Sequence, residues 1–226
     1  MITAIIVAAG KSTRMGGDID KAFLSLGSKP VLAYSMMAFE TCPEVGQVIL
    51  VVRKEQLVAA KSAAQMFGCR KVVDIVAGGA RRQDSVARGL AACDPATSVV
   101  CVHDGARPCI TPALISETIR TAKRTGSGVA AAKVTDTLKV VERGHVVAST
   151  LDRTKVWSVQ TPQTFKFDIL RRALDKAAQD KENFTDEASA VEHLGEKVHL
   201  VPSTFPNIKI TVTDDLKTAA LLLGIH

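Results

Sequence analysis

Two stretches near the start of the chain decide the fold: TAIIVAA at residues 3–9 and PVLAYSMMAFETC at residues 30–42. The first is short, apolar and rich in β-branched residues, and it is closed by Gly10, which is typical of a strand buried on both faces. The second opens with a proline and repeats apolar residues at helical spacing, which predicts a helix. A buried strand followed by a helix is the first unit of an α/β fold.

The same alternation continues along the chain. Apolar stretches of strand length predict strands at 47–52, 128–134 and 156–165, with shorter ones at 197–203 and 207–211. Residues 71–79 are predicted to form a strand and a turn, and residues 98–108 a strand that runs into a loop. Stretches of helical periodicity predict helices at 54–67, 81–93, 111–126, 166–180, 186–195 and 214–224. This order predicts one α/β domain over residues 1–226, with a mostly parallel Rossmann-like sheet covered by helices on both faces.

Residues 136–153 interrupt the alternation. Short strand-like stretches lie on either side of Glu142, Arg143 and Gly144, which predicts a β-hairpin that extends from the domain as an arm.

The composition limits the classes of partner. The chain has 226 residues and a formal net charge of +6, which suits anionic partners such as phosphates, nucleic acid or acidic lipids. Aromatic residues make up only 4% and do not cluster with the basic residues, so RNA binding is the weaker interpretation. Five cysteines without a C-x-x-C pair suggest neither a disulfide framework nor a zinc site, and a cytoplasmic protein is expected. No apolar run reaches the roughly 18 residues that a membrane span needs.

The stretch AAGKST at residues 8–13 looks like a shortened phosphate-binding loop. A Walker A loop would require a glycine at position 5, where the chain has Ile5. The glycines at positions 10, 16 and 17 also lack the spacing of a dinucleotide fingerprint. Both nucleotide-binding loops are therefore excluded.

What remains is a turn of small residues, followed by Arg14 and Lys21. Such a turn lets backbone N–H groups approach a nucleotide closely. An arginine fork and a lysine point charge together neutralise the charge that builds on a phosphoryl group under attack. Residue type and spacing leave open the alternative of two solvated surface cations.

Seven pieces of sequence, in their order, carry a resemblance to a known family. They are VAAGKSTRM…DKAFLSLGSKPVL, AGGARRQDSV, VHDGARP, AKVTDTLK, LDRTKVWSVQTPQTF, FTDEASAVEHLG and NIKIT. The first resembles the signature of sugar-phosphate nucleotidylyltransferases, and the set resembles the 2-C-methyl-D-erythritol 4-phosphate cytidylyltransferases among them. The chain departs from the signature at Ser12, where the family has a second glycine, and at Asp20-Lys21-Ala22, where it has Pro-Lys-Gln.

The resemblance implies transfer of a cytidylyl group from CTP to a polyol phosphate, with Mg²⁺ bound mainly through the CTP phosphates. The implied catalytic residues are Arg14, Lys21, Arg153 and Lys209. The implied nucleotide-binding residues are Ala8, Ala9, Gly10, Gly79 and Ser85. The implied substrate-binding residues are Asp104, Arg107, Thr137, Thr161 and Thr185. The resemblance also implies a homodimer whose active sites are shared through the arm, and no partner in nucleic acid or membrane.

Several alternatives stay open at this level. Gly79 and Ser85 also suit a tight turn and a helix cap, and Asp104 and Arg107 also suit a local ion pair. The acceptor could be another alditol phosphate, such as ribitol 5-phosphate, with the same CTP half-site. A non-catalytic nucleotide- or RNA-binding protein is the alternative of another class.

Overall fold

The structure, a computed structural model, describes residues 1–10, 20–204 and 206–225. The strands are β1 (Ile2–Ala8), β2 (Ser25–Leu26), β3 (Lys29–Pro30), β4 (Gln47–Val52), β5 (Val72–Ala77), β6 (Val99–Asp104), β7 (Ser127–Lys133), β8 (Lys139–Val141), β9 (Val147–Thr150), β10 (Trp157–Lys166) and β11 (Leu200–Pro202). The α-helices are α1 (Val31–Thr41), α2 (Leu57–Met66), α3 (Arg82–Ala91), α4 (Pro112–Thr125), α5 (Phe167–Gln179), α6 (Glu187–His193) and α7 (Asp214–Leu222).

Seven of these strands form one sheet, in the order β11-β7-β10-β6-β1-β4-β5. Strand β1 pairs in parallel with β4 and β6, and the pairs β4–β5 and β7–β11 are also parallel. Strand β10 runs antiparallel between β6 and β7. Among the described residues, no α-helix lies between β7 and β10 in the chain. Strand β10 therefore starts at the end of the sheet where β7 stops and runs back beside it. The predicted mostly parallel sheet is confirmed.

Helices cover both faces of the sheet, as the sequence predicts. On one face, Ile6 of β1 packs in a buried cluster with Met36 of α1 and Ile119 of α4. On the other, Ile5 packs in a second cluster that includes Val86 of α3. Each such side chain contributes about 1.5–3 kcal/mol when it is fully removed from water. The alternation of neighbouring residues in β1 therefore fixes which helices lie on which side.

Local signals set the helix ends. The Thr111 hydroxyl accepts a hydrogen bond from the Leu114 amide at 3.3 Å, and Pro112 is the first residue of α4. Helix α4 ends at Gly126, whose φ of +98° lies in the left-handed region that favours glycine. The helix predicted at residues 111–126 is confirmed, with its two end residues serving as the caps.

The predicted strand at residues 207–211 is wrong. These residues belong to no strand ladder. The Ile210 amide donates a hydrogen bond to the Ala106 carbonyl at 2.8 Å. This bond places the segment beside the loop after β6 rather than beside a strand. Its apolar Ile210 is fully buried, which explains the strand-like pattern.

The predicted hairpin is present. Strand β8 pairs antiparallel with β9, separate from the main sheet, and Gly144 between them has a φ of +76°. Residues 139–155 are all solvent-exposed.

The described parts of the chain contain no helix with the length and apolar character needed to cross a membrane. All five cysteines are free thiols.

Candidate active site

A cavity of about 470 Å³ lies at the carboxyl ends of β1, β5 and β6. Loops after parallel strands meet at this edge, where α/β sheets bind their ligands. Eight predicted site residues line the cavity: Ala8, Ala9, Gly10, Lys21, Gly79, Ser85, Asp104 and Lys209. A larger groove of about 740 Å³ lies between α2 and β5, but it contains none of the predicted residues. The convergence of charged groups and backbone turns makes the smaller cavity the candidate site.

The turn after β5 is held by a side-chain hydroxyl. Ser85 accepts a hydrogen bond from the Gly79 amide at 3.0 Å and donates one to the Arg81 carbonyl at 3.1 Å. A Cβ atom at Gly79 would lie 2.4 Å from the Cβ of Asp84, so only glycine fits without a shift of the loop. Helix α3 begins after Arg81, whose amide donates to Asp84 at 3.0 Å. Ser85 therefore stabilises the turn, while Asp84 closes the helix start.

Lys21 is carried into the cavity wall by a short 3₁₀ helix, Lys21–Phe23. Asp20 caps this helix, because its Oδ1 accepts a hydrogen bond from the Ala22 amide at 3.2 Å. Burial raises the pKa of Asp20, and the Ala22 amide and the Arg53 charge oppose this effect. The sequence Asp20-Lys21-Ala22, which differs from the Pro-Lys-Gln of the family signature, thus forms a capped 3₁₀ turn. Arg14, predicted to act with Lys21, lies outside the described residues.

Three cations surround the carboxylate of Asp104 at the end of β6. Arg82 donates to Oδ1 from Nε at 3.2 Å and from Nη2 at 3.0 Å. Lys209 donates to Oδ2 from Nζ at 2.6 Å, and Nε of Arg107 lies 3.8 Å from the same oxygen. Burial alone would raise the pKa of Asp104, but the charges of Arg82 and Lys209 outweigh burial and lower it well below its usual range. Asp104 is therefore ionised, and the cluster around it carries a net positive charge.

Arg82 is bound by a second carboxylate as well. Its Nη1 donates to Oε1 of Glu187 at the start of α6, and the Glu187 side chain is 2% exposed. Burial favours a neutral Arg82, but the two carboxylates more than compensate and raise its pKa. The Arg82 guanidinium thus stays charged between the two acids.

A buried network supports Asp104 from behind. The Thr161 hydroxyl accepts a hydrogen bond from the Asp104 amide at 3.1 Å and lies 3.0 Å from Nδ1 of His103. Asn207 donates from its side chain to the Thr161 carbonyl at 2.6 Å, and Arg107 donates to the Asn207 carbonyl at 2.8 Å. Burial lowers the pKa of His103 to about 3, so the ring is neutral. These contacts fix the position of the Asp104 backbone.

Comparison with known proteins shows which family the chain resembles. The family profile described as "IspD: 2-C-methyl-D-erythritol 4-phosphate cytidylyltransferase" matches residues 2–224. A protein of that name from Dehalococcoides mccartyi is 43% identical over 223 residues, covering 98% of this chain and 96% of the relative. One from Syntrophotalea carbinolica is 38% identical over 224 residues, with the same coverage.

The chain belongs to the 2-C-methyl-D-erythritol 4-phosphate cytidylyltransferase family.

Solved structures agree with this family. The 4-diphosphocytidyl-2C-methyl-D-erythritol synthase of Anaerococcus prevotii superimposes with a TM-score of 0.87 at 29% identity, covering 99% of this chain and 96% of that one. The 2-C-methyl-D-erythritol 4-phosphate cytidylyltransferase of Thermus thermophilus superimposes with a TM-score of 0.79 at 30% identity, with full coverage of both chains. The predicted family, fold class and enzyme class, a CTP-dependent cytidylyltransferase, are confirmed.

Five predicted and described residues of the cytidylyltransferase site are absent from this cavity's lining. Thr137 and Arg153 lie in the exposed arm segment, where Arg153 donates to the Thr135 carbonyl at 2.8 Å. Thr185 is exposed just before α6. Arg107 and Thr161 lie behind Asp104 in the buried network and also do not line the cavity.

Sequence reasoning missed Arg82, Glu187 and Asn207. Arg81 and Arg82 are adjacent in the GGARRQDS turn. Their side chains differ in direction because Arg81 is the residue before α3 and Arg82 is the first residue of that helix. Arg81 pairs with Asp84 at the exposed helix start, whereas Arg82 turns inward to Asp104. The available signal was that the three motifs GGARRQDS, VHDGARP and FTDEASAV each carry charged residues. The sequence does not show that these charges meet, because they come together only in the folded chain.

Proposed function

We propose that this chain transfers the cytidylyl group of CTP to 2-C-methyl-D-erythritol 4-phosphate in the cavity at the ends of β1, β5 and β6. The products are 4-CDP-2-C-methyl-D-erythritol and pyrophosphate, a step of the non-mevalonate route to isoprenoid precursors. Family membership supports this function. The observation that carries it is the convergence of three cationic side chains, those of Lys21, Arg82 and Lys209, in the lining of one cavity.

The reaction needs charge neutralisation more than proton transfer. An oxygen of the acceptor phosphate attacks the α-phosphorus of CTP, and the bond from that phosphorus to the bridging oxygen of the β-phosphate breaks. The electron pair leaves with pyrophosphate. The acceptor phosphate is already an anion at neutral pH, so no general base is required. His103 is fully buried and neutral, which fits a supporting role.

The described residues divide the work by position. The turn of Ala8, Ala9 and Gly10 lines the cavity, where its backbone N–H groups would approach the nucleotide closely. Lys21 lies on the same side and would bind the CTP phosphates, together with Arg14. Lys209 would hold the acceptor phosphate from the opposite side. Two polyanions can then approach within one cationic cavity.

Mg²⁺ would be bound mainly by the CTP phosphates and water. Across the described residues no group of three or more His, Cys, Asp or Glu side chains could hold a metal ion. Magnesium in nucleotide sites commonly uses one or two carboxylates plus phosphates, but both oxygens of Asp104 in this cavity already pair with Arg82 and Lys209, which leaves the ion to the phosphates. When bound, the ion would screen the charge of the triphosphate.

The arm would complete the site of a second subunit. Apolar side chains of the arm are at least 41% exposed, namely Val140, Val141, Val146, Val147 and Leu151. A two-stranded hairpin is marginal alone, and such a surface gains stability by packing on another chain. Thr137 and Arg153 lie on this arm segment, outside their own chain's cavity. A homodimer that exchanges arms would bring them to the partner's acceptor.

The function is tested by following pyrophosphate release with the purified chain. We expect release with CTP, Mg²⁺ and 2-C-methyl-D-erythritol 4-phosphate together, and none when any one is omitted. UTP, ATP and GTP in place of CTP test the nucleotide pocket. Equal rates with all four nucleotides would contradict a cytidylyltransferase.

A further inference from the structure

Arg82 connects the Gly79 turn on one side of the cavity with Asp104 on the other. It is the first residue of α3, directly after the turn that carries Gly79, and it lines the cavity. Its guanidinium reaches across to Asp104 at the end of β6 and to Glu187 on α6. Three of its nitrogen atoms are engaged by these two carboxylates, so its position is fixed from both sides.

Glu187 is engaged through Arg82. Its carboxylate is almost fully buried, and among the described residues its Oε1 accepts from Arg82 while its Oε2 has no hydrogen-bond partner. It does not cap α6, because Asp186 accepts the Ser189 amide at 3.0 Å and serves as the cap. Burying such a carboxylate is costly, and a buried ion pair is weak evidence for stability. The arrangement therefore favours a role in placing Arg82.

Lys209 cannot serve two anions equally well. Its Nζ lies 2.6 Å from Oδ2 of Asp104. When Lys209 turns to an acceptor phosphate, Asp104 depends more on Arg82 for its position and its charge balance. The Arg82 fork engages the other oxygen, Oδ1, so the two cations do not compete for one atom.

We propose that Arg82, held in place by Glu187, is a positioning residue that fixes Asp104 while Lys209 binds the acceptor phosphate. Arg82 thereby couples the nucleotide turn to the acceptor side of the cavity. This inference rests on the proposed function.

The test is a double-mutant cycle on kcat with Arg82→Gln, Glu187→Gln and both together. We expect Glu187→Gln to lower kcat about 10- to 100-fold, by analogy with the loss of a carboxylate that orients a metal ligand. The KM for CTP should stay within about twofold, because ground-state nucleotide contacts remain. The double variant should be no slower than Arg82→Gln alone, because Glu187 acts through Arg82.

Two further variants sharpen the result. Arg82→Lys keeps the charge but lacks the fork, so kcat should stay low. Glu196→Gln is the matched control, because Glu196 pairs with Arg172 at 2.9 Å on an exposed surface, and it should leave kcat unchanged. Thermal unfolding of each variant verifies that it is folded at the assay temperature, and Glu187→Met replaces Glu187→Gln if the latter unfolds.

The inference is overturned if folded Glu187→Gln retains wild-type kcat, or if the losses of the two single variants multiply in the double variant. Rescue of kcat by Arg82→Lys would show that charge alone suffices and would also overturn it. An inactive wild-type chain in the same assay would count against the proposed function instead.

Discussion

Replacing Lys209 by methionine removes one charge from the acceptor side of the cavity while keeping the length of the side chain. A unit charge about 4 Å from a phosphate oxygen is worth about 4 kcal/mol at an effective dielectric constant of about 20. The Lys209 side chain is 38% exposed, and solvent screening reduces this to about 2–3 kcal/mol. We therefore expect kcat/KM for the acceptor to fall about 30- to 150-fold.

The fold should survive this change. Asp104 keeps its two hydrogen bonds from Arg82, so the carboxylate does not become an unpaired buried charge. We expect the melting temperature to fall by no more than about 5 °C. Lys217→Met is the matched control, because Lys217 is 82% exposed on α7 and should leave both quantities unchanged.

Steady-state kinetics with varied acceptor at saturating CTP measure the effect. A folded Lys209→Met protein with acceptor kcat/KM within about threefold of wild type would refute the assignment of Lys209 to the acceptor phosphate.

Three further predictions follow from other parts of the structure. Gly79→Ala places a Cβ 2.4 Å from that of Asp84, so calorimetry should show CTP affinity reduced by about tenfold or more. Burial lowers the pKa of His103 from 6.5 to about 3, so the stability from its neutral ring is complete above pH 6.5 and is lost as the pH falls towards 3. The unfolding free energy should fall by about 1.4 kcal/mol per pH unit from this residue, and His103→Gln should give a shallower slope in denaturant titrations between about pH 6 and pH 4. Mixing inactive Arg14→Ala and Arg153→Ala proteins with subunit exchange should restore about a quarter of wild-type activity, because half of the dimers are mixed and each has one intact site; no recovery despite exchange, verified by a tag pull-down, would exclude arm sharing.

The fold was predictable because its signals are local. The buried strand at β1, the cap at Thr111 and the left-handed Gly126 are each specified by neighbouring residues. The failure at residues 207–211 shows the limit of such signals. Burial of Ile210 gives a strand-like pattern, but pairing depends on a neighbour that the local sequence does not reveal.

The site was predictable only in part. Gly79, Ser85 and Asp104 lie at or just beyond the carboxyl ends of predicted strands, so the topology of the sheet brings them to one edge. The inward turn of Arg82 and its pairing with Glu187 depend on residues 105 positions apart in the chain. No local pattern distinguishes that ion pair from two solvated charges.

The central claim is that this chain makes a cytidylyl ester of 2-C-methyl-D-erythritol 4-phosphate. Phosphorus NMR of a reaction containing the purified protein, CTP, Mg²⁺ and an equal mixture of that acceptor and ribitol 5-phosphate tests it directly. We predict loss of the methylerythritol phosphate signal, growth of the paired signals of one diphosphate diester, and equimolar pyrophosphate. Preferential consumption of ribitol 5-phosphate, or no diester from either acceptor, would contradict the account.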